Sequence, residues 1–587
     1  MLDNATTPSG LTTRLVRGVM SSPAWVWHTY VQSTWSQSLG LLVCVALGIY
    51  FWMTEGTLAN ILFTAGVTVA LIASVTLATR RFFFSAATIA CIVSVIAWSS
   101  AMKRKTMDMV VHAYDLFFYL SSWSTISYLW NDHRGLVISF AISLAITGVC
   151  AYIAWRLDTT RLSRRLSATV LLIGIVAAWL GIANKGERRH MQFYFENLYV
   201  SSFYASWAET IVTLWQGTMI EAQARMLHSE PNFAISTACR TAEKPPHIIL
   251  VHQESMVPPS IFPGLQYDKS VDSMFQSDDN RIHGMRVETF GGASWLSEFS
   301  ILAGVSTQAF GGMRQFVQTF TVNRLKDTLP QNLERCGYRN VVFYPMLKNF
   351  VSNEKFYNSI GMREIFDLKD QKAPSAQERD RFYFNNALTE LERHVSTSQK
   401  PLFTYIQTMS AHWPYDWKFA PEMDVPAGGP GLHHEMNEFL RRVSIAKMDY
   451  DYLLAEIKRR LPGERILIVS YGDHHPTATR TLLGRNNEDL VEPEDMVVAP
   501  DSLGFQTYFA MRGHNFSVPA LPTQDVVDIP YLGTLVQQAA GLPLSEANEH
   551  RLKLLARCDG RYYGCANKSA ILAFHRRLID SGIIATR

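Results

Sequence analysis

The sequence has little excess charge of either sign. Its 587 residues give a formal net charge of only +3, and the basic residues are not gathered into long runs. Nucleic-acid-binding proteins usually concentrate positive charge, so this balance argues against a nucleic-acid partner. Internal repeats and low-complexity tracts are also absent, which leaves no sign of a repeat array. The chain is too long for one hydrophobic core and therefore predicts two or more domains.

Long apolar runs occur only in the first third of the chain. Five segments are long and apolar enough to cross a bilayer, namely Leu39–Met53, Ala59–Leu77, Phe82–Ser99, Leu136–Trp155 and Ala168–Ala183. The first is short for a span and could extend backwards. It is not a cleavable signal, because its amino-terminal flank is long and no small-residue cleavage site is followed by a soluble domain. Buried helices of a large soluble protein are the alternative, but five such segments favour a membrane domain.

The arginines between these spans predict how the chain crosses the membrane. Arg80 and Arg81 separate the second and third spans, and four arginines lie within residues 156–165, between the fourth and fifth. The positive-inside rule places both loops in the cytoplasm, so everything after about Ala183 lies outside. The basic run 103–105 would then also lie outside, which argues the other way. The loop with four arginines outweighs it.

Two aromatic-rich segments flank the last spans. Met107–Trp130 is too polar for a clean span and predicts an interfacial helix. Together with the five predicted transmembrane helices, it forms a membrane domain that covers residues 1–186. His190–Ala224 has similar character and predicts a membrane-surface linker over residues 187–245. For the second half of that segment, an ordinary core helix is the competing interpretation. The soluble domain then covers residues 246–587.

Four of the seven cysteines lie in the predicted outer part of the chain, and the other three lie inside spans. An even number suits an oxidising compartment. Cys558 and Cys565, with a glycine near each, predict a small loop closed by a disulfide. That leaves Cys239 to pair with Cys336. Four free thiols are the alternative.

From residue 247 onward, short apolar runs alternate with segments of helical periodicity. The strand-like runs are Ile248–Val251, Val341–Tyr344, Leu402–Gln407, Ile466–Val469 and Gln506–Met511. The helical segments are Arg324–Arg335, Asn385–Val395, Asn437–Arg460, Val526–Ala540 and Lys568–Arg587. This alternation predicts an α/β domain with a mostly parallel sheet. The fold class is therefore a polytopic α-helical membrane domain followed by a soluble α/β domain.

Potential metal ligands follow two of the predicted strands. One apolar run ends in Glu254, and another ends in Gly472 followed by Asp473 and His474. Parallel strands deliver functional residues at their carboxyl ends, and carboxylates with imidazole suit Zn²⁺ or Mn²⁺. A surface turn with a capping aspartate is the alternative for the second motif. The two strand ends together favour a metal site.

Two further histidines lie beside these predicted ligands. His252 shares a strand face with Glu254, but it lies deeper in the strand and is therefore the weaker ligand candidate. His475 follows the ligand pair directly, and we expect a supporting or exposed position for it.

A candidate nucleophile lies between the two strand ends. The segment Glu288–Ser300 contains a Gly-Gly turn, then Ser294 and a helix-like apolar pattern. The amino terminus of a helix favours anions, and a serine hydroxyl next to a divalent cation can ionise and attack phosphorus or sulfur. Simple helix capping by Ser294, with Ser297 and Glu298, is the alternative. The nearby predicted ligands favour the nucleophile.

The order of these motifs resembles the lipoteichoic acid synthase group. The shared features are five spans, a surface linker, glutamate at a first strand end, a hydroxyl in a Gly-Gly-X-Ser turn followed by Ser-Glu-Phe, histidine shortly before proline, and Tyr-Gly-Asp-His. This group includes phosphoglycerol transferases and belongs to the alkaline phosphatase and sulfatase superfamily. The resemblance covers almost the whole chain, and it implies an alkaline phosphatase/sulfatase-type fold for the soluble domain.

The resemblance also implies roles for individual residues. Glu254, Asp473 and His474 match the family's metal ligands, and Ser294 matches the hydroxyl nucleophile, which also touches the metal. His412, in the run Ser-Ala-His-Trp-Pro-Tyr, matches a histidine of the substrate phosphate site, and its neighbour Trp413 is assigned to the same site. The implied cofactor is one divalent cation, with Mn²⁺ first and Mg²⁺ or Zn²⁺ as alternatives.

The sequence departs from the family at two points. The family's nucleophile is typically threonine, whereas the best match here is Ser294; Thr289 is the weaker candidate. The family's tryptophan and arginine that bind the substrate headgroup have no clear match. Lys348 or Asn353 is the candidate for that work, and a lysine is a point charge where arginine is a bidentate fork. Headgroup preference is therefore open.

The resemblance implies a transferase of the bacterial inner membrane, with its catalytic domain on the periplasmic side. It would move a phospho-headgroup, with phosphoglycerol first, from a membrane phospholipid through Ser294 to an extracytoplasmic glycan or glycolipid. Phosphoethanolamine transfer is the closest alternative. A sulfatase-like phosphoester hydrolase and a non-catalytic lipid-binding regulator are the others. The Cys/Ser-X-Pro-X-Arg motif of formylglycine sulfatases does not surround Ser294, which disfavours sulfate ester hydrolysis.

Overall fold

The protein is described from a computed structural model. The structure describes residues 23–107, 109–118, 123–183, 198–229, 231–235, 239, 244–350, 353–483, 503–519 and 521–586. The chain divides into two compact units. One comprises residues 1–113 and 129–208, and the other comprises residues 114–128 and 209–587.

The amino-terminal part of the chain is helical. Its helices are α1 (Pro23–Thr54), α2 (Leu58–Thr79), α3 (Phe82–Met107), α4 (Ala113–Phe118), α5 (Trp123–Asp132), α6 (Arg134–Leu157), α7 (Arg164–Ala183), α8 (Tyr199–Gln216) and α9 (Met219–Arg225). Among the described residues, α1, α2, α3, α6 and α7 are long and apolar enough to cross a membrane. They coincide with the five predicted spans, and the first extends back to Thr34, as its short apolar run suggested.

Helices α2 and α7 pack with their backbones almost in contact. A Cβ atom added at Gly66 would lie 2.4 Å from the backbone nitrogen of Ala178, and one added at Gly181 would lie 2.6 Å from that of Phe63. No side chain fits at such distances. Small residues allow membrane helices to approach closely, and dispersion forces then stabilise the pair.

In the described residues of the carboxy-terminal part, eight strands form one sheet. They are β1 (His247–Gln253), β2 (His283–Arg286), β3 (Arg339–Phe343), β4 (Glu364–Phe366), β5 (Leu402–Gln407), β6 (Ile466–Gly472), β7 (Gln506–His514) and β8 (Val526–Asp528). Their order is β4-β3-β5-β1-β6-β7-β2-β8. Within the described residues all neighbours are parallel except β7 with β2 and with β6. The predicted α/β domain with a mostly parallel sheet is confirmed.

Helices and short 3₁₀ turns connect the strands. The helices are α10 (Asp272–Phe275), α11 (Ser294–Ala303), α12 (Val317–Phe320), α13 (Leu329–Arg335), α14 (Asn353–Ser359), α15 (Asp380–Thr397), α16 (His434–Arg460), α17 (Leu532–Ala539), α18 (Glu546–Arg557) and α19 (Lys568–Asp580). Strands β1, β5 and β6 lie at the centre of the sheet and are buried along their whole length. Their near-continuous apolar runs are typical of parallel strands covered on both faces.

One predicted helix is partly wrong. The segment Val526–Ala540 begins with strand β8, continues through a 3₁₀ turn at Ile529–Tyr531 and becomes α-helical only from Leu532. The two β-branched valines favour a strand, and Pro530 disfavours helical geometry in the residue before it. Strands β2, β4 and β8 were not predicted, since three or four residues are too few to show a pattern.

The aromatic-rich segments contain several helices. Met107–Trp130 contains α4 and the greater part of α5, while His190–Ala224 contains α8 and most of α9. Residues 190–197 lie outside the described part of the chain. Both predicted disulfides, Cys239–Cys336 and Cys558–Cys565, are present.

Candidate active site

The two predicted ligand motifs meet at one edge of the sheet. Strands β1 and β6 are parallel neighbours, and Gln253 lies opposite Gly472 in their register. The next residues along each strand, Glu254 and Asp473, are therefore side by side. His474 completes the group, with its Nε2 3.2 Å from Oε1 of Glu254 and 3.2 Å from Oδ2 of Asp473.

Ser294 lies next to this group at the beginning of a helix, whereas the other three residues follow strands. It is the first residue of α11, and Ala293 before it adopts a left-handed conformation with φ 63°, which turns the chain abruptly into the helix. The Oγ of Ser294 donates a hydrogen bond of 2.8 Å to Oε2 of Glu254 and lies 3.2 Å from Nε2 of His474. The hydroxyl thus lies at a helix amino terminus, where the helix dipole favours anions.

Hydrogen bonds orient the imidazole of His474 and the carboxylate of Asp473. The Nδ1 of His474 lies 2.9 Å from the carbonyl oxygen of His475, to which it can only donate, so in the neutral ring the lone pair is on Nε2. Oδ1 of Asp473 accepts from the backbone N–H groups of Ser255 and His474, at 2.8 and 2.9 Å. The other oxygen, Oδ2, remains on the side of the cluster.

This donor set fits a divalent cation. Oδ2 of Asp473 and Nε2 of His252 are both buried and lie 3.0 Å apart, and neither makes a hydrogen bond to another described residue. Ligand atoms of His252, Glu254 and Asp473 lie within 4.8 Å of one another. Buried carboxylates without a compensating charge are costly, and oxygen and imidazole donors suit Mn²⁺, Mg²⁺ or Zn²⁺. The residues therefore fit the implied metal.

The pKa values of these groups follow from their burial and mutual charge. Burial alone would raise the pKa of Glu254, but His474, through a hydrogen bond and its charge, holds it well below the usual range. Burial alone would lower the pKa of His474, yet Asp473 and Glu254 raise it to about 9. In the metal-free cluster the imidazolium therefore supplies the positive charge that the carboxylates require.

His412 and Trp413 lie on the loop after β5. Nδ1 of His412 donates to the carbonyl oxygen of Trp413 at 2.5 Å, and the side chain is half-buried. The imidazole is close enough for its charge to lower the pKa of Glu254. Trp413 is 50% exposed, which leaves its ring free to contact a ligand.

Lys348 and Asn353 are not joined to this cluster by any hydrogen bond between described residues. Nζ of Lys348 lies 3.4 Å from Oδ2 of Asp370. Asn353 is buried at the start of α14 and donates to the hydroxyl of Tyr344 at 2.8 Å. Their predicted headgroup contacts remain predictions.

Thr289 and His475 have other partners. The hydroxyl of Thr289 donates to the carbonyl oxygen of Gly292 at 2.7 Å, so it stabilises the turn before Ser294. His475 is buried, and its ring nitrogens lie 2.7 Å from the carbonyl oxygen of Gln506 and 3.2 Å from the hydroxyl of Thr479. Burial lowers its pKa to about 4, so it remains neutral.

Several residues around the site were not predicted from the sequence. Gln407 at the end of β5 donates to Oε2 of Glu254 at 3.3 Å, and Ser255 donates its hydroxyl to Oε1 at 3.0 Å. Tyr405 and Tyr471 place their hydroxyls 2.7 and 3.0 Å from Nδ1 of His252. For the two tyrosines the available signal was their spacing, because Tyr405 lies two positions before Gln407 and Tyr471 lies two positions before Asp473.

Comparisons with known proteins agree with this fold. Residues 246–497 match the family model described as Sulfatase. A protein of Haemophilus influenzae, recorded as uncharacterized, is 24% identical over 342 residues, which are 56% of this chain and 59% of that protein. The match thus covers somewhat more than half of the relative's length.

Three solved structures similar to this chain are named as a synthase or as transferases. Lipoteichoic acid synthase LtaP from Listeria monocytogenes is 16% identical, with a TM-score of 0.41 over 57% of this chain and 78% of that one. Phosphoglycerol transferase GacH from Streptococcus pyogenes is 15% identical, with a TM-score of 0.45 over 63% and 91%. Lipooligosaccharide phosphoethanolamine transferase EptA from Neisseria meningitidis is 10% identical, with a TM-score of 0.48 over 86% and 96%.

The family match covers the strands that carry the cluster, from β1 with Glu254 to β6 with Asp473 and His474. It therefore agrees with the resemblance that the motifs indicate. Residues 246–497 are thus similar to the Sulfatase family, and this match spans somewhat less than half of the chain.

Proposed function

We propose that this protein is a metal-dependent phosphotransferase of a bacterial inner membrane. It moves a phospho-headgroup, with phosphoglycerol as the first candidate, from a membrane phospholipid to a hydroxyl of an extracytoplasmic glycan or glycolipid. The observation that carries the proposal is the position of Ser294. Its Oγ lies at a helix amino terminus, 2.8 Å from a carboxylate oxygen of Glu254 and 3.2 Å from the imidazole of His474.

The chemistry begins at the Ser294 hydroxyl. A divalent cation held by Glu254, Asp473 and His474 would favour ionisation of that hydroxyl and offset negative charge on the phosphodiester. Glu254 already accepts the hydrogen bond of the hydroxyl and fixes the direction of Oγ. A new bond forms between Oγ and phosphorus as the bond from phosphorus to the diacylglycerol oxygen breaks, and the phospho-headgroup remains on Ser294.

The second half of the reaction reverses these roles. The acceptor hydroxyl loses its proton as it attacks phosphorus, the bond from phosphorus to Oγ breaks, and Oγ takes up a proton. Over both halves, one proton moves from the acceptor hydroxyl to the diacylglycerol oxygen. His412 is the candidate to donate a proton to the leaving diacylglycerol oxygen or to contact the phosphoryl oxygens, because Nδ1 is engaged with the Trp413 carbonyl and Nε2 is left for substrate. The neighbouring indole, Lys348 and Asn353 are the candidates for headgroup contact.

The membrane domain fits a lipid donor, since the donor lies in the bilayer itself. The proposal places the membrane domain at 1–186, a surface linker at 187–245 and the catalytic domain at 246–587, outside the cytoplasm. Support comes from the arginine-rich loops and from the disulfides, which form and persist in oxidising compartments.

The experiment is diacylglycerol release by the purified full-length protein with Mn²⁺. Separate reactions contain labelled phosphatidylglycerol or phosphatidylethanolamine, beside the variants Ser294→Ala and Thr289→Val. Each variant removes one hydroxyl from the same turn. We expect diacylglycerol release from one of the two lipids. Ser294→Ala should abolish this release, whereas the Thr289→Val protein should still retain the label.

The other outcomes contradict specific parts of the proposal. Release that survives Ser294→Ala excludes the covalent serine route. Release of a free phospho-headgroup at the same rate with and without a glycan acceptor indicates a hydrolase. No release from either lipid by a protein with bound metal indicates a regulator.

A further inference from the structure

His252 lies directly beneath the proposed metal ligands. It lies on β1, two positions before Glu254, which directly follows the strand, so both side chains are on the same side of the sheet. Its ring is fully buried, and its Nε2 lies 3.0 Å from Oδ2 of Asp473. Neither atom makes a hydrogen bond to any other described residue, and Oδ2 also lies 3.2 Å from Nε2 of His474. His252 therefore contacts Oδ2 of Asp473, the carboxylate oxygen that accepts no hydrogen bond from the two backbone N–H groups.

The other side of the imidazole is held by two tyrosines from neighbouring strands. Nδ1 lies 2.7 Å from the hydroxyl of Tyr405 on β5 and 3.0 Å from that of Tyr471 on β6. The two hydroxyls are themselves 3.1 Å apart. All three side chains are buried. Each hydroxyl has a proton to donate, so the pair can supply Nδ1 with a hydrogen bond and leave the ring proton on Nε2, beside Asp473.

We propose that His252 is a positioning residue for the metal site: held by Tyr405 and Tyr471, it orients the carboxylate of Asp473. The inference rests on the proposed metal-dependent function. Oδ1 of Asp473 is fixed by two backbone N–H groups, and the His252 contact fixes Oδ2, so the carboxylate cannot rotate away from His474. Removal of such a supporting group typically weakens metal binding about 10- to 100-fold.

Two substitutions of His252 test its contact with Asp473, because one can keep the contact and the other removes it. In His252→Gln, the side-chain amide can donate to Asp473 and accept from a tyrosine hydroxyl. In His252→Leu, a side chain of similar bulk makes neither bond. Affinity for Mn²⁺, measured by electron paramagnetic resonance on the full-length protein in detergent, compares them without any need for activity.

We expect His252→Leu to weaken Mn²⁺ binding by about 10- to 100-fold and His252→Gln to restore most of the affinity. Pulsed measurements of nitrogen coupling to Mn²⁺ should find one imidazole, that of His474, in the wild type and in both variants. Unchanged affinity in His252→Leu would overturn the inference. So would the loss of one of two nitrogen couplings, because His252 would then be a ligand itself.

A second variant covers the case in which His252→Leu does not fold. Tyr405→Phe with Tyr471→Phe removes both hydroxyls and keeps the rings, and we expect a loss of Mn²⁺ affinity in the same direction. Equal affinity in this double variant and the wild type would contradict the role assigned to the tyrosines. If the wild type binds Mn²⁺ in the expected pattern but releases no diacylglycerol, the proposed transferase fails while the positioning role stands. A wild type that binds no divalent cation overturns both.

Discussion

Oγ of Ser294 and Oε2 of Glu254 lie 2.8 Å apart, although 40 positions separate the two residues in the sequence. Glu254 follows the central strand β1, and Ser294 begins α11. Because the serine hydroxyl donates to the carboxylate, the proposed nucleophile is held in one direction before any substrate is present. Preorganisation of this kind lowers the cost of reaching a reactive geometry.

The affinity for metal should depend on pH through His474. The pKa of this imidazole is raised to about 9 despite its burial, because Asp473 and Glu254 favour its charged form. Below that pH a cation must displace the ring proton in order to bind, so the apparent affinity should fall about tenfold for each pH unit lost between 8.5 and 6.5. Titration of the full-length protein with Mn²⁺ at three pH values measures this slope.

The matched control for that slope is His474→Gln, which has no proton to displace. We expect weaker binding in this variant and a flatter dependence on pH. His475 is neutral over the whole range, since its pKa is lowered to about 4 by burial, and it adds nothing to the slope. A wild-type affinity that does not change between pH 6.5 and 8.5 would contradict the assignment of His474 as a ligand.

Arg442 should fix the loop that carries His412 and Trp413. Its fully buried guanidinium donates to the carbonyl oxygens of His412 at 2.6 Å, Pro414 at 2.8 Å and Trp417 at 3.1 Å. A lysine cannot reproduce this fork, so Arg442→Lys removes most of these bonds, although the His412 carbonyl still accepts from Gln377. We expect unfolding free energy to fall by about 2–4 kcal/mol and kcat/KM for diacylglycerol release to fall about 10- to 100-fold.

Arg459→Lys is the control for this experiment. Arg459 lies on the same helix α16 and pairs with Glu456, but its side chain is 66% exposed. Exposed pairs contribute little, so we expect almost no change in stability and normal activity. Thermal unfolding and lipid turnover measure both variants. If Arg442→Lys loses stability but keeps full kcat/KM, the loop does not position substrate.

The sequence predicted that Glu254, Asp473 and His474 lie together, but it did not predict their surroundings. Glu254, Asp473 and His474 each follow an apolar run, so knowledge of a parallel sheet was enough to expect them at one edge. The distance from Ser294 to this group could not be predicted, because it depends on the left-handed turn at Ala293 and on the packing of α11.

The supporting residues were hidden for a different reason. Tyr405 and Tyr471 occur inside apolar strands, where an aromatic residue is ordinarily part of the core. Only the alignment of β5, β1 and β6 brings their hydroxyls to the same imidazole. Strand β7 was predicted as a strand, but its antiparallel direction was not. The direction of a strand depends on how the chain connects it to its neighbours, and a local sequence pattern does not show this.

Asp380 should make stability fall as pH rises. Burial, and next the charge of Asp449, raise the pKa of this carboxyl to about 7 in the folded protein, against about 3.9 in an unfolded chain. Between these values the folded state binds the proton more tightly, so its contribution to stability is greatest below about pH 4 and is lost by about pH 7. The loss amounts to at most about 4 kcal/mol.

Asp380→Asn isolates this effect. Oδ1 of Asp380 accepts from the N–H groups of Met409 and Ser410, at 3.2 and 2.9 Å, and an amide oxygen can accept both bonds. We expect the variant to be more stable than the wild type at pH 8 and to differ less at pH 4.5. Chemical unfolding of both full-length proteins at these values gives the comparison. A constant difference across the range would show that Asp380 does not titrate there.

The two disulfides should contribute unequally to stability. Cys239 and Cys336 are 97 positions apart, whereas Cys558 and Cys565 are 7 apart. A cross-link restricts the unfolded chain more when it closes a longer loop, by about 5 kcal/mol for the first and about 2 kcal/mol for the second. The double variant Cys239→Ala with Cys336→Ala should therefore unfold at lower denaturant concentration than Cys558→Ala with Cys565→Ala. Reduction of the wild type should reproduce the larger effect. Equal midpoints for the two double variants would mean that the long loop is already restricted in the unfolded state, and that its loop length does not govern stability here.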